Sequence, residues 1–117
     1  MNYFLEKIVY KFKSFMEKIQ IYKVKNGYIN EQKLIQLVYQ KPFLLYYIKP
    51  VDNAKVINAA LRKDKYALQF AAMKIRNDKD FMLKHKNLGF GCMMYLGPAL
   101  RDNKSVVMAT VAEQLKK

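Results

Sequence analysis

The residue types that most often perform catalysis or bind metals are sparse in this chain. It has one histidine, His85, and one cysteine, Cys92, among 117 residues. His85 has no cysteine or carboxylate at metal-ligand spacing. Cys92 lies in an apolar run, CMMYL, and no paired base is indicated for a nucleophile. We therefore predict no catalytic site, no metal site and no cofactor, and expect His85 at least partly exposed and Cys92 packed as a small hydrophobic residue.

Lysines and tyrosines form a clearer binding pattern, because they alternate through the first half of the chain. Lysines beside stackable rings are what a single-stranded nucleic-acid groove uses. The same lysines would also dock on an acidic protein surface, so both classes of partner stay open. The candidate binding residues are Lys11, Lys13, Lys18, Lys23, Lys25, Lys41, Tyr22, Tyr28 and Tyr46.

The charge balance is strongly basic, since 22 lysines and arginines against nine acidic residues give a net charge of +13. Such a charge favours attraction to polyanions or acidic proteins without choosing between them. A composition rich in Lys, Ile, Asn and Tyr also arises in AT-rich genomes without any polyanionic ligand. A length of 117 residues fits a single domain, 1–117, and an apolar content of 52% is enough for a real core.

Three features bear on the compartment. A single cysteine excludes an internal disulfide and suits a reducing environment. Residues 1–20 contain no uninterrupted apolar stretch, because charged side chains such as Glu6, Lys7 and Lys11 break it, which argues against a signal peptide. The longest uncharged stretch, 87–100, is too short to span a bilayer. We expect a soluble, intracellular and cytoplasmic protein.

An internal repeat dominates the second half. The segment 65–83, KYALQFAAMKIRNDKDFML, returns 25 residues later as 90–108, FGCMMYLGPALRDNKSVVM, and a degraded copy lies 25 residues upstream. A fixed period of this size indicates a repeat architecture. We predict an all-α fold in which short helix-turn-helix repeats, within 29–117, stack as a compact bundle or a short α-solenoid. The last unit would be half a repeat.

Residues 2–24 show apolar residues at intervals of three and four, the pattern of one long amphipathic helix. Its apolar residues are Phe4, Leu5, Ile8, Val9, Phe12, Phe15, Met16 and Ile19. Two roles compete: a helix in the unit 1–28 that caps the open end of the repeat stack, or a basic segment that lies on an anionic membrane. We favour the cap, because the stripe has a repeat core to cover, and a membrane is the less favoured partner.

Capping and breaking residues divide the rest of the chain into short helices. Asn30 is a candidate N-cap for a helix over 31–39, and Pro42 fits the first turn of the next one. Further helices are expected at 66–75, 79–85 and 105–115. The candidate caps are Asp52 or Asn53, Asn77 or Asp78, and Asp102 or Asn103. Rings at helical spacing are mostly core, so we expect burial of Phe4, Phe12, Phe15, Phe43, Phe70 and Phe81.

The corner of each repeat has a structural explanation that needs no ligand. Asn77 or Asp78 would cap a helix by accepting backbone N–H bonds. Arg76 would sit at the end of the preceding helix, where the dipole favours a cation that pairs with the capping acid. The second corner, Arg101-Asp102-Asn103, repeats this arrangement. Phosphate binding by the arginines is the less favoured alternative.

The motif Ala67-Leu68-Gln69-Phe70-Ala71, followed by Ile75-Arg76-Asn77-Asp78-Lys79, resembles the consensus of an uncharacterised tandem helical-repeat family, a domain of unknown function. Leu100-Arg101-Asp102-Asn103-Lys104 matches almost as well, with the Asn-Asp order reversed, whereas the upstream copy lacks the arginine. The resemblance covers roughly 52–115. It implies an all-helical repeat fold that serves as an interaction scaffold, and no general activity comes with it.

The leading hypothesis is a non-catalytic helical-repeat interaction module whose basic face docks on an acidic partner protein. Direct nucleic-acid binding through the Lys/Tyr face is the first alternative. The second is a small inhibitor, of the phage anti-defence or anti-CRISPR type, that blocks a nucleic-acid-processing enzyme. A homodimer is also open, because Val106, Val107 and Val111 would be exposed at the end of the stack.

Overall fold

The computed structural model describes residues 3–116, except for the side chain of Phe90, so the predictions for residues 1, 2 and 117 lie outside it. Helices account for all its regular structure, which confirms the all-α class. The α-helices are α1 (Tyr3–Lys25), α2 (Glu31–Gln40), α3 (Ala54–Leu61), α4 (Met73–Arg76), α5 (Lys79–Lys84), α6 (Phe90–Met94), α7 (Pro98–Arg101) and α8 (Lys104–Leu115). Short 3-10 helices cover Pro42–Tyr47, Lys65–Phe70 and Lys86–Leu88.

Side-chain caps begin the helices where the sequence places them. The Asn30 side chain accepts from Lys33 N at 2.8 Å and so starts α2. Of the alternatives at the later corners, Asn53 caps α3, Asp78 caps α5 and Asn103 caps α8. Each cap satisfies an N–H that the first turn leaves without a partner in the helix, and each contributes about 1 kcal/mol.

Several local features recur at the 25-residue spacing. The three later caps are 25 residues apart, and α4 and α7 begin 25 residues apart. Ala72 N donates to Val51 O at 2.8 Å, and Gly97 N donates to Arg76 O at the same distance. These two backbone bonds join consecutive segments in the same register. The tandem-repeat architecture as a whole stays a prediction.

The helix predicted over 66–75 is wrong, because the chain breaks at two alanines. The 3-10 helix Lys65–Phe70 ends before Ala71 and Ala72, which have extended ψ angles of 144° and 154°. Their backbone pairs with Val51, which forms an isolated parallel bridge with Ala71. Val51 N donates to Phe70 O, and Ala72 N donates to Val51 O. Because Val51 is distant in sequence from the two alanines, no residue near the break predicts it.

The core is mainly aliphatic and lies in the segment from α2 to α8, with Val24 of α1 added to it. Its largest fully buried side chains are Leu44, Leu45, Ile57, Leu68, Met82 and Leu96. The prediction of six buried phenylalanines is largely wrong: Phe81 is buried and Phe70 half-buried, whereas Phe4, Phe12, Phe15 and Phe43 are exposed.

The C-terminal helix α8 packs its valines against the rest of the fold. Val106 is fully buried, and Val107 and Val111 are half-buried, since α8 packs against α5, α6 and the 3-10 helix Lys86–Leu88. The prediction that these valines form an exposed apolar end is therefore wrong. The argument for a homodimer through exposed valines of α8 therefore does not hold.

The predicted N-terminal helix is present as α1, but its capping role is not confirmed. Its contact with the rest of the fold is near its C-terminal end, where Val24 is buried, while Phe4 and Phe12 are 68% and 64% exposed. At 3.6 residues per turn, Val24 lies about 130° around the helix from the middle of the apolar stripe. The face that packs on the body is thus not the face that carries the stripe. Within residues 3–116, no helix has the length and apolar character needed to cross a membrane.

Candidate binding groove

The corner between α1 and α2 sets the geometry of the candidate site. Gly27 adopts φ +75°, the left-handed conformation that commonly ends a helix. Tyr28 N then donates to Lys23 O at 2.9 Å, which closes the last turn of α1. Asn30 starts α2 three residues after the glycine. Beside this corner, residues of both helices line an open space.

Two contacts fix the C-terminal part of α1 on the body. Val24 is buried, and α1 packs against the 3-10 helix Pro42–Tyr47. Lys41 Nζ donates to Gln20 Oε1 at 3.1 Å, which links the residue that follows α2 to the C-terminal part of α1. The position of α1 is therefore held from residue 20 onward, and residues 3–16 extend beyond this support.

The space between the two helices is a groove with a volume of about 770 Å³. We define the α1–α2 groove by the residues that line it, and we call the apolar ones its floor and the polar ones, with Tyr28, its rim. Apolar side chains of the floor are Phe12, Met16, Ile19, Ile29 and Leu37. The polar and aromatic residues of the rim are Lys13, Glu17, Gln20, Lys23, Tyr28, Asn30, Lys33 and Lys41.

The rim carries four lysines and one glutamate, so the electrostatic field in the groove is positive. The floor offers aliphatic and aromatic surface that gains free energy when it is removed from water. A ligand that satisfies both requirements combines apolar side chains with negative charge. Among residues 3–116, no group of three His, Cys, Asp or Glu side chains is placed to hold a metal ion.

The exposed apolar face of α1 continues from the groove toward the N-terminus. We define the α1 stripe as Phe4, Leu5, Ile8, Val9, Phe12, Phe15 and Met16. Each of these side chains is between 44% and 68% exposed. Phe12 and Met16 belong to both the stripe and the groove, so the two surfaces are continuous.

A row of lysines borders the stripe on one side. Lys11, Lys18 and Lys25 are spaced seven residues apart and are all exposed. Residues seven apart on a helix lie about two turns apart on nearly the same side. Over its whole length α1 carries six lysines and two glutamates. The border of the stripe is therefore basic.

The structure brings together four of the residues proposed from the sequence: Lys13, Lys23, Lys41 and Tyr28 line the groove. Tyr22 lies beside this set, with its ring centroid 6.1 Å from that of Tyr28. The other three lysines proposed on α1 form the row on its flank.

Tyr46 does not belong to the groove. Its ring lies under Lys49, whose Nζ is 4.3 Å from the centroid, and edge-on to the rings of Tyr47 and Phe70. This cluster joins two 3-10 helices, Pro42–Tyr47 and Lys65–Phe70, so the packing of these segments accounts for the position of the ring.

Sequence reasoning missed the α2 side of the groove, namely Lys33 and Leu37, together with Ile29 of the corner. Leu37 follows the apolar pattern of α2. That pattern predicts burial in the core and does not indicate that Leu37 also lines a groove with α1. The orientation of α2 relative to α1 depends on the turn at Gly27. No local pattern states the angle at which the two helices leave that turn.

The repeat corners are structural contacts in this fold. Arg76 Nε donates to Tyr95 O at 2.7 Å, and Arg101 Nε donates to Leu96 O at 3.2 Å. Both guanidinium groups thus bind backbone carbonyl oxygens, where the sequence suggested ion pairs with capping acids. The Asn77 side chain accepts from Ala99 N at 3.0 Å and so links two segments.

The histidine and the cysteine lie away from the groove. His85 Nε2 is 2.8 Å from Asn58 Oδ1, and its ring is 4.7 Å from that of Phe81. Burial, and secondly the charge of Lys84, lowers the pKa of His85. Cys92 is fully buried, and burial raises the pKa of its thiol to about 11. The thiol is therefore protonated near neutral pH and poorly suited to act as a nucleophile.

No family model, curated protein or solved structure matches the chain. The resemblance to a helical-repeat family accordingly stays a prediction.

Proposed function

We propose that this protein is a non-catalytic interaction module that binds an acidic partner protein in the α1–α2 groove. One observation carries the proposal: four lysines and an apolar floor line a groove of about 770 Å³ that no other part of residues 3–116 fills. Peptide-binding grooves combine these two features, because apolar anchors supply affinity and charges at the rim supply orientation and specificity.

The composition of the floor favours a protein over a nucleic acid. Phe12 is the only aromatic side chain among the five of the floor, and single-stranded nucleic acids bind mainly by stacking successive bases on aromatic rings. Apolar side chains from a protein segment would fill this floor, and each fully buried one contributes about 1.5–3 kcal/mol. Carboxylates of the same segment would face the lysines of the rim.

The experiment is an affinity pull-down from cell extract with the wild-type chain and two charge variants. Lys13→Glu with Lys33→Glu reverses two rim charges, and Lys33 lies in the first turn of α2, where a glutamate also suits the helix dipole. Lys74→Glu with Lys104→Glu is the control, because both lysines are exposed and lie outside the groove. The two double variants change the net charge by the same amount.

We expect that the wild type and the control variant capture the same acidic proteins from the extract, and that the groove variant does not capture them. Equal retention by both variants would show that the bulk positive charge, and not the groove, is responsible. Equal circular dichroism spectra of the three proteins would confirm that the fold is intact.

Nucleic-acid binding is the second candidate, and the exposed pair Tyr22 and Tyr28 beside Lys23 and Lys25 favours it. Fluorescence anisotropy with labelled single-stranded RNA and duplex DNA, at about 50 and 200 mM salt, tests it. Submicromolar binding that falls steeply with salt and depends on these residues would replace the protein-docking proposal. An inhibitor would instead act on a partner enzyme without binding free nucleic acid.

A further inference from the structure

The apolar face of α1 has the spacing of a helix that packs lengthwise on another helix. Leu5, Ile8, Phe12, Phe15 and Ile19 follow one another at alternating intervals of three and four residues. This is the heptad pattern, in which such residues form one seam along the helix. The first four are between 47% and 64% exposed, and Ile19 is half-buried. The side chains of Ile8, Phe12 and Phe15 are therefore largely exposed to solvent.

The lysine row occupies one flanking position of that heptad. With Leu5, Phe12 and Ile19 at position a, the residues Lys11, Lys18 and Lys25 all fall at position g. Side chains at g and e face the flanks of a paired helix and select its charge. The opposite flank, position e, holds Val9, Met16 and Lys23, without an acidic residue.

This charge distribution argues against a second copy of the chain. In an antiparallel pair of α1 helices the two lysine flanks would face each other, and in a parallel pair the lysines would face Val9, Met16 and Lys23. Neither arrangement supplies an acidic group to Lys11, Lys18 or Lys25. Two chains of net charge +13 would also repel each other at longer range.

The groove at the end of the seam argues against a lipid bilayer. Leu37, on the α2 side of the groove, is only 6% exposed, whereas Phe4 and Phe15 are 68% and 59% exposed. A flat surface that rests on these two rings does not reach Leu37. A single helix, about 10–12 Å across, is a narrow and convex body that can lie along the seam and enter the groove.

We propose that the binding element of the partner is an acidic amphipathic α-helix that lies along α1 and ends in the α1–α2 groove. This inference rests on the proposed function and names the partner of the same site. From Leu5 to Ile19 the seam is about 21 Å long, so the partner helix spans about four turns. It carries apolar residues at heptad spacing and carboxylates on the flank that faces Lys11, Lys18 and Lys25.

The probe is a synthetic, fluorescein-labelled peptide of about three heptads, with Leu at positions a and d and Glu at e and g. The full chain is titrated into it, and fluorescence anisotropy is recorded. One control peptide has the same composition with the leucines out of register, and another has Lys in place of Glu. We expect the acidic heptad peptide to bind at least about tenfold more tightly than either control.

Charge-reversal variants of the protein locate the binding. Lys11→Glu, Lys18→Glu and Lys25→Glu together are expected to weaken binding of the acidic peptide about tenfold and to create binding of the Lys peptide. The matched control combines Lys74→Glu, Lys79→Glu and Lys104→Glu, three exposed lysines on other helices. This control is expected to change the affinity for either peptide by less than about threefold, through long-range charge alone.

Other occupants give different results. Equal affinity for the out-of-register peptide would overturn the helical register, and equal weakening by both triple variants would overturn the site. Two further results would also overturn the proposal: binding to vesicles of anionic phosphatidylglycerol without binding to the peptide, or a dimer in sedimentation velocity that Phe12→Ser with Phe15→Ser dissociates. If the pull-down still depends on Lys13 and Lys33 while the peptide does not bind, the proposed function stands and this inference fails.

Discussion

The N-terminal part of α1 and the body of the fold are both rich in apolar residues, yet they use them differently. In the body, Leu44, Leu68 and Met82 are fully buried, whereas Phe4 and Phe12 on α1 are 68% and 64% exposed. The difference arises from orientation and not from composition, since α1 packs on the body through the face that carries Val24. An exposed apolar stripe of this extent supports the proposal that this face of α1 binds a partner.

The largest expected effect compares one buried residue with one residue of the stripe. Leu68→Ala removes a fully buried side chain and should lower the free energy of unfolding by about 2–5 kcal/mol. Phe12→Ala removes a larger but exposed side chain and should change it by less than about 0.5 kcal/mol. Urea denaturation followed by circular dichroism measures both. A loss above about 2 kcal/mol for Phe12→Ala would mean that the stripe is part of the core.

Two glycines extend the comparison to the backbone. A Cβ at Gly97 would collide with the side chain of Asn77 and press on the backbone of Arg76, so Gly97→Ala should destabilise the body by about 1–3 kcal/mol. At Gly27 a Cβ would meet open space, and only the positive φ opposes it. Gly27→Ala should therefore cost about 1 kcal/mol. Thermal unfolding measures the stability of both variants, and Gly97→Ala should be the less stable one. A larger loss for Gly27→Ala would contradict the packing described at Gly97.

A smaller effect distinguishes the two candidate caps of α8. The Asn103 side chain accepts from Val106 N at 3.2 Å, and Asp102 does not provide the cap. Asn103→Ala should lower the free energy of unfolding by about 1 kcal/mol. Asp102→Ala is the matched control and should change it by less than about 0.5 kcal/mol. Equal losses in chemical denaturation would mean that both side chains support the helix.

The smallest expected effect is the pH dependence that His85 adds to the body. Because its pKa is lowered in the folded state from the ordinary value of 6.5, the unfolded chain binds the proton more readily. Its contribution to stability is therefore present above pH 6.5 and is lost as the pH falls below that value. Denaturation of the wild type and of His85→Gln at several pH values measures this. A wild type that gains stability relative to the variant on acidification would contradict the sign.

Local signals predicted the helices well, because caps and proline positions act within one turn. Asn30, Pro42 and Asn103 begin helices where the sequence places them. The break at Ala71 and Ala72 was not predictable in this way, since the backbone partner that stabilises it is Val51, about 20 residues away.

The candidate site was predictable in part for the same reason. Lys13, Lys23 and Lys41 are evident from the alternation of lysines and tyrosines along the first half of the chain. Lys33 and Leu37 join them only because the corner at Gly27 turns α2 toward α1. The amphipathic pattern also shows that α1 has an apolar face without showing which way that face points. That direction is set by packing at Val24, at the far end of the helix.

The most direct measurement of the central claim is hydrogen–deuterium exchange of the full chain with and without the acidic heptad peptide. Binding along α1 and in the groove predicts slower amide exchange within 4–23 and 29–41, and unchanged exchange within 54–115. Protection confined to 54–115, or no change at a peptide concentration that saturates the anisotropy signal, would contradict the assignment of this surface as the binding site.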